Sequence, residues 1–150
     1  MLGLLLLLFV LVSVCVVIHG LGMVIGLSRF RLTSPRHGHH FSMPSMLWIL
    51  VRVVYGLLLL HLLQILVWAT CYYWAGCFPD FATCFYYSTT SYSTVGYGDV
   101  NPPEKWRIVG AIEAVTGILM FGWSTGVLFA VVNHLLGRFK NAHPLGENLD

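Results

Sequence analysis

Charged residues are scarce in this chain. Of its 150 residues, 9% are charged and 57% are hydrophobic, whereas ordinary soluble domains are about 25% charged. This composition excludes an ordinary soluble enzyme and indicates a protein that crosses a membrane several times. The formal net charge of +2 is too small to suggest nucleic acid as a partner.

The patterns that usually mark reaction chemistry are also missing from the sequence. It contains no pairing of a nucleophile with a base, no phosphate-binding loop and no metal-ligand spacing, so we predict neither an enzyme nor a bound cofactor. No apolar run carries arginine at every third position, which excludes a voltage sensor. His37, His39 and His40 fit a solvated polar loop better than a pH sensor or a metal site.

The four cysteines give no firm framework. Cys15 lies in an apolar run and is most simply a small core residue. Cys71, Cys77 and Cys84 lie in or near the connection between the last two apolar runs. If that connection faces an oxidising compartment, a Cys71–Cys77 or a Cys77–Cys84 bridge can form, and the spacing leaves both open.

Three long apolar runs cover residues 2–27, 46–74 and 108–136. A helix rises about 1.5 Å per residue, so each run can cross a bilayer core of about 30 Å. The first run lacks the basic start and the cleavage site of a signal peptide, which favours a retained helix. We expect aromatic residues at both ends of the second run to lie at the membrane interfaces: Trp48, Trp68, Tyr72, Tyr73 and Trp74.

A shorter stretch, residues 81–93, lies between the second and third runs and is too short and too hydroxyl-rich to span. Asp80 precedes it and is predicted to be its N-cap. We interpret it as a re-entrant half-helix, since irregular backbone at membrane depth must be buried in protein or line a water-filled path.

Basic residues fix the expected orientation. Arg29, Arg31 and Arg36 fall in the first connection, and Arg138 and Lys140 follow the last run. The positive-inside rule therefore places both regions in the cytoplasm and the near-neutral loop before the last run outside. Three spans then put the N-terminus outside and the C-terminus in the cytoplasm.

The string Thr94-Val95-Gly96-Tyr97-Gly98-Asp99 follows the half-helix directly. Four copies of TVGYG around one axis can present rings of backbone carbonyls that replace the water around a potassium ion. Glycine tolerates the positive φ angles that such a loop needs at Gly96 and Gly98. The Thr94 hydroxyl can add a further ring at the inner mouth.

Residues 46–136 resemble the pore module of tetrameric potassium channels, particularly small bacterial members with one pore loop per subunit. Tyr86 and Tyr87 match the aromatic pair that forms a cuff around the filter in that family, and Asp99 matches the acidic residue that follows it. The resemblance implies potassium coordination by Thr94, Val95, Gly96 and Tyr97 and support of the filter by neighbouring residues. The stretch Thr90-Ser91-Tyr92-Ser93-Thr94 departs from the commoner Thr-x-Thr-Thr ending but keeps its hydroxyls.

Two residues of the last run are further candidates. Gly117 matches the hinge position of inner helices in the family, and close packing against a neighbouring helix is the equal alternative, which Gly122 and Gly126 would continue. Glu113 lies about two turns into the run, where an unpaired carboxylate is expensive. We expect it to be buried and to support the filter rather than to face the ion path. Thr90, Ser91 and Ser93 are its candidate partners, and His61 and Gln64, one turn apart on the second run, offer another polar face.

The sequence therefore predicts an all-α membrane protein with three transmembrane helices and a re-entrant pore half-helix and filter loop between the last two. Its expected parts are an N-terminal helix (residues 1–28), a cytoplasmic loop (29–45), a pore module (46–136) and a short cytoplasmic tail (137–150). The expected function is passive, potassium-selective conduction through a homotetramer in a prokaryotic plasma membrane, with lipids and further copies of the chain as partners. A nonselective cation channel and an accessory membrane subunit are the alternatives.

Overall fold

The computed structural model describes residues 2–33 and 42–142. Within them the chain forms helices α1 (Leu2–Thr33), α2 (Met43–Trp74), α3 (Phe81–Tyr92) and α4 (Arg107–Ala142), with a 3₁₀ turn over Glu104–Trp106. Three helices are long and apolar enough to cross a membrane, and the described residues form no strand. The predicted all-helical class with three spans is confirmed.

The helices are longer than the apolar runs that predict them. α1 continues through Arg29 and Arg31 to Thr33, so these arginines extend the helix instead of lying in a loop. Basic residues favour a helix C-terminus, and the next residue but one, Pro35, is the first strong helix breaker in the sequence. The predicted loop positions Arg36, His37, His39 and His40 and the tail residues 143–150 lie outside the described residues.

α3 begins where the sequence predicts. Asp80 is its N-cap, and its carboxylate accepts hydrogen bonds from the Thr83 backbone N–H at 2.8 Å and from the Thr83 hydroxyl at 2.9 Å. These bonds, the backbone one first, hold the pKa of the Asp80 carboxyl below its usual range. The cap fixes the start of a helix of only 12 residues, which is far too short to span a bilayer.

α2 and α4 form the centre of the bundle, because both α1 and α3 pack against each of them. The main core lies between these four helices and includes two aromatic residues that the sequence assigned to a membrane interface. Trp68 and Tyr72 are fully buried in that core, so this assignment is wrong for them. Trp48, Tyr73 and Trp74 are exposed near the two ends of α2, as an interfacial belt requires.

Candidate functional site

The candidate site is the segment that follows α3. Its first residues fold back over the end of the helix, since the Thr94 N–H donates to the Ser91 carbonyl at 2.9 Å and the Gly96 N–H donates to the Thr90 carbonyl at 3.1 Å. Thr90 therefore holds this segment through its backbone, while its hydroxyl donates to the Tyr87 carbonyl at 2.9 Å. The position of the segment thus depends directly on the last turn of α3.

The backbone of the segment alternates in sign. Thr94, Gly96 and Gly98 have φ angles of 62°, 52° and 77°, while Val95 and Tyr97 between them are not in the positive region. The positive angles predicted at the two glycines are confirmed. Thr94 was not expected to share them, and a left-handed angle costs a side-chain-bearing residue about 1–2 kcal/mol. Such strain persists only where the surrounding structure imposes it.

The side chains of this segment have little cover within one chain. Val95 is 52% exposed and Tyr97 is 71% exposed, and Thr94, Gly96, Gly98 and Asp99 are exposed as well. The exposed valine and the exposed tyrosine lie two positions apart in this strained segment. Both are suited to contact with another protein surface.

Two side chains brace the far end of the segment. The Tyr86 hydroxyl donates to the Asp99 carboxylate at 2.8 Å, which links the first half of α3 to the residue after the last glycine. This bond raises the pKa of the Tyr86 phenol. Asn101 donates from its side-chain amide to the Gly98 carbonyl at 2.9 Å, a contact that sequence reasoning missed.

We expect Tyr86→Phe to weaken this brace. The substitution removes one hydrogen bond to a charged acceptor at an exposed site, so we expect the backbone amides of residues 94–99 to exchange with solvent about twofold to fivefold faster. Hydrogen–deuterium exchange of the protein in mild detergent measures this rate. Tyr55→Phe is the control, because Tyr55 is an exposed tyrosine of α2, and an equal increase in that variant would contradict a specific role for Tyr86.

Tyr87, the second residue of the predicted aromatic cuff, points elsewhere within the chain. Its ring packs edge-on against Tyr72 at 5.2 Å and lies 5.0 Å from Phe78, between centroids. A Cβ atom at Gly110 would overlap the Tyr87 hydroxyl, so this glycine makes room for the phenol. Tyr87 therefore anchors α3 to α2 and α4, whereas Tyr86 contacts the far end of the segment that follows α3.

Glu113 of α4 is fully buried. Its two carboxylate oxygens contact the Tyr72 hydroxyl at 2.8 Å and the Ser88 hydroxyl at 2.5 Å. The partners expected for Glu113 on α3, Thr90, Ser91 and Ser93, are wrong: the helical turn presents Ser88 to α4 instead. The acid thus joins α2, α3 and α4 at one point.

The contacts around Glu113 indicate its protonation state. Ser88 has one hydroxyl proton but lies within hydrogen-bonding distance of two acceptors, the Ile65 carbonyl at 3.0 Å and Glu113 at 2.5 Å. If Glu113 is protonated, its own O–H donates to Ser88, and Ser88 donates to Ile65. Each of the three oxygen–oxygen contacts, including that of Tyr72 with Glu113, then has one hydrogen between its two oxygens, so the geometry fits a neutral Glu113.

Gly117 lies at a close contact between α4 and the end of α3. A Cβ atom there would overlap the Tyr92 carbonyl oxygen, and α4 runs through this position as one continuous helix. Of the two interpretations of Gly117, close packing has direct support in this geometry. Gly122 and Gly126 have no neighbour within reach of a Cβ atom, so they do not continue that contact within the chain.

The cysteines near the site are unpaired. Cys15, Cys71, Cys77 and Cys84 are all free, so neither of the bridges considered from the sequence is formed in the structure. No disulfide therefore anchors α3 in the part of the chain that the structure describes.

The comparison with protein families covers the site and its supports. A family model described as an ion channel matches residues 60–134, which is half of the 150-residue chain. The match includes the second half of α2, all of α3, the strained segment and most of α4, but no part of α1. Neither a curated protein nor a solved structure matches the chain.

Proposed function

This chain belongs to the ion channel family, and on that premise we propose that it conducts potassium ions passively through a pore shared by four copies of itself. The observation that carries the proposal is the alternating backbone of the TVGYG string, with positive φ at Thr94, Gly96 and Gly98. Alternation of this kind turns successive peptide planes over, so that successive carbonyl oxygens can face the same side. A potassium filter needs such a row of oxygens.

In this proposal the ion sheds its water against four such rows. The carbonyls of Thr94, Val95, Gly96 and Tyr97, with the Thr94 hydroxyl, would form stacked sites, between which neighbouring ions repel and hop. Gly98 would supply the conformational freedom at the outer end. The Tyr86–Asp99 hydrogen bond would hold that end in place.

The proposed oligomer follows from how little one chain provides. A single filter segment offers only one quarter of each ring, so a closed rotational assembly of four is required. The exposed Val95 and Tyr97 side chains would then be covered by neighbouring copies. The side of α4 opposite Glu113 is exposed and would face the axis or the lipid; it comprises Ala111, Val115, Ile118, Gly122, Thr125 and Phe129.

We also propose that α3 is the re-entrant pore helix. Its C-terminal end carries partial negative charge from the backbone dipole, which would favour a cation beneath the filter. Potassium is then the permeant ion and no bound cofactor is required. Membrane lipid would cover the apolar outer faces of α1 and α2.

The proposed topology places Met1 outside and the connection between α1 and α2 in the cytoplasm of a prokaryotic cell. It follows from Arg29, Arg31 and Arg36 and from entry of the filter from outside. We expect a reporter fused before Met1 to be accessible from the outer face and one inserted after Arg36 to be accessible from the inner face. Both reporters on one side would contradict a spanning α1.

A flux assay on the purified chain in liposomes tests the function. We expect potassium-selective flux and, by native mass spectrometry in mild detergent, a tetramer. Equal sodium and potassium flux would identify a nonselective cation channel, against which Tyr97 argues because nonselective members typically carry another residue there. No flux, together with a monomer or dimer, would favour an accessory subunit.

A further inference from the structure

A second polar cluster lies deep in the bundle, apart from the filter segment. It contains one or two side chains from each of the four helices, and each is at most 6% exposed. His19 comes from α1, His61 and Gln64 from α2, Tyr92 from α3 and Ser124 from α4. Polar groups at this depth are expensive unless they are paired, so their arrangement calls for a role.

The five side chains form a closed ring of hydrogen bonds. Gln64 Nε2 lies 2.9 Å from His19 Nδ1, and His19 Nε2 lies 3.2 Å from Ser124 Oγ. Ser124 Oγ lies 3.0 Å from His61 Nε2, and His61 Nδ1 lies 3.3 Å from Tyr92 Oη. Tyr92 Oη closes the ring at 2.8 Å from Gln64 Oε1.

The direction of the ring is fixed by Gln64. The side-chain atom of Gln64 that faces His19 also lies 3.3 Å from the Leu60 carbonyl oxygen. Because a carbonyl oxygen can only accept, this side-chain atom must be the amide nitrogen, Nε2. The other side-chain atom of Gln64 is therefore the oxygen, and the Tyr92 hydroxyl donates to it.

The direction of this bond fixes the direction of the other four hydrogen bonds in the ring. Since Tyr92 uses its proton on Gln64, His61 must donate to it from Nδ1 and accept at Nε2. Ser124 then donates to His61 and accepts from His19 Nε2–H, which leaves His19 Nδ1 to accept from Gln64. Each side chain donates once and accepts once around the ring, and both imidazoles are neutral.

An added proton disrupts this ring. On His19 Nδ1 it would face the Gln64 amide N–H, which cannot accept, and on His61 Nε2 it would force the Ser124 hydroxyl to turn its own proton away in order to accept. The nearby titratable groups are Cys15 of α1 and Glu113 of α4, which interact electrostatically with Tyr92 of α3. Neither donates to nor accepts from an imidazole, and the centroids of the two rings are only 5.3 Å apart.

The ring joins α1 to the conducting segment. The backbone of α1 approaches α2 and α4 closely but not α3, and the ring connects His19 of α1 to Tyr92 through Gln64. Tyr92 is the last residue of α3, its carbonyl lies against Gly117, and Thr94 follows two positions later. A displacement of Tyr92 would therefore move the start of the filter segment.

We propose that His19, His61 and Gln64 are positioning residues for conduction, which hold Tyr92 and the filter segment in place only while both imidazoles are neutral. Because it concerns how flux responds to acid, the proposal rests on the proposed channel function. It assigns α1 a part in conduction, although the family match does not include that helix.

Nitrogen NMR of histidine-labelled full-length protein in lipid tests the ring without any flux. At about pH 7.5 we expect a signal from an imidazole that is protonated only at Nδ1, and this signal should be lost in His61→Gln. We also expect a signal from an imidazole that is protonated only at Nε2, and this signal should be lost in His19→Gln. A signal assigned to His61 that is protonated at Nε2, or a cationic form of either histidine at this pH, would overturn the ring.

Potassium flux in liposomes between about pH 7.5 and about pH 4.5 tests the coupling. We expect flux to fall reversibly by about tenfold in the wild type. The flux of His19→Gln/His61→Gln, reduced at every pH because two positioning residues are replaced, should not change with pH. His134→Gln, which changes an exposed histidine of α4, should keep the response. A flat wild-type profile, or an acid response that survives in the double variant, would overturn the coupling. Absence of flux in the wild type at every pH would instead contradict the channel function. It would leave the ring itself to be judged by NMR, which does not depend on flux.

Discussion

Gly96→Ala is expected to abolish potassium-selective flux. Gly96 has a φ of 52°, and a left-handed angle costs a residue with a Cβ atom about 1–2 kcal/mol. In a pore of four chains the strain amounts to about 4–8 kcal/mol, on the same scale as the stability of a whole domain. We expect the backbone to turn away from this angle and to take the carbonyl out of the row.

The liposome assay measures this effect, with sodium and potassium compared in the same preparation. Gly3→Ala is the matched control, because Gly3 lies in α1 with no neighbour within reach of a Cβ atom and without a positive φ. The control should conduct as the wild type does. Selective flux in Gly96→Ala within twofold of the control would show that the observed backbone is not the conducting one.

Glu113→Ala is expected to destabilise the protein strongly, while Glu113→Gln is expected to be tolerated. Alanine leaves the buried Tyr72 hydroxyl without its partner, at about 1–3 kcal/mol, and also removes one of the two contacts of Ser88, which keeps its hydrogen bond to the Ile65 carbonyl. Glutamine has the size of a protonated glutamate, and its amide can donate to Ser88 and accept from Tyr72. Unit conductance in Glu113→Gln should therefore remain close to that of the wild type.

Thermal unfolding in mild detergent and single-channel recording measure the two parts. Glu104→Gln is the control for loss of a carboxylate, because Glu104 is exposed at the start of the last span. A large drop in conductance in Glu113→Gln with unchanged stability would show that Glu113 lines the ion path. Equal stability of the alanine and glutamine variants would contradict the buried hydrogen-bonded role.

The parts of the site that the sequence predicted correctly depend on local chemistry. The N-cap at Asp80 follows from a residue and the helix directly after it, and positive φ at Gly96 and Gly98 follows from the absence of a side chain. The burial of Glu113 follows from one acid in an apolar run. Each needs no knowledge of which helices meet.

The parts that it missed depend on contacts between distant positions. The identity of the Glu113 partners required the register of α3 against α4, so that Ser88, 25 positions away, reaches the acid in place of Thr90. Trp68 and Tyr72 were wrongly assigned to an interface for the same reason, since tryptophan and tyrosine side chains suit a membrane interface as well as a core, and only the helix contacts distinguish the two. His61 and Gln64 were visible as a polar face, but nothing in their spacing identified His19 as a partner.

The sequence by itself determined the three spans and the positive φ angles at the glycines of the TVGYG string. It could do so because the length of an apolar run and the conformational freedom of glycine depend only on residues that are close together in the chain. Only the tertiary structure decided that α1 belongs to the same polar ring as the end of α3. Ser124 and His19 are 105 positions apart, and their contact arises where α1, α2 and α4 meet. A histidine in an apolar run indicates that a partner is needed, and only the packing of the helices selects that partner.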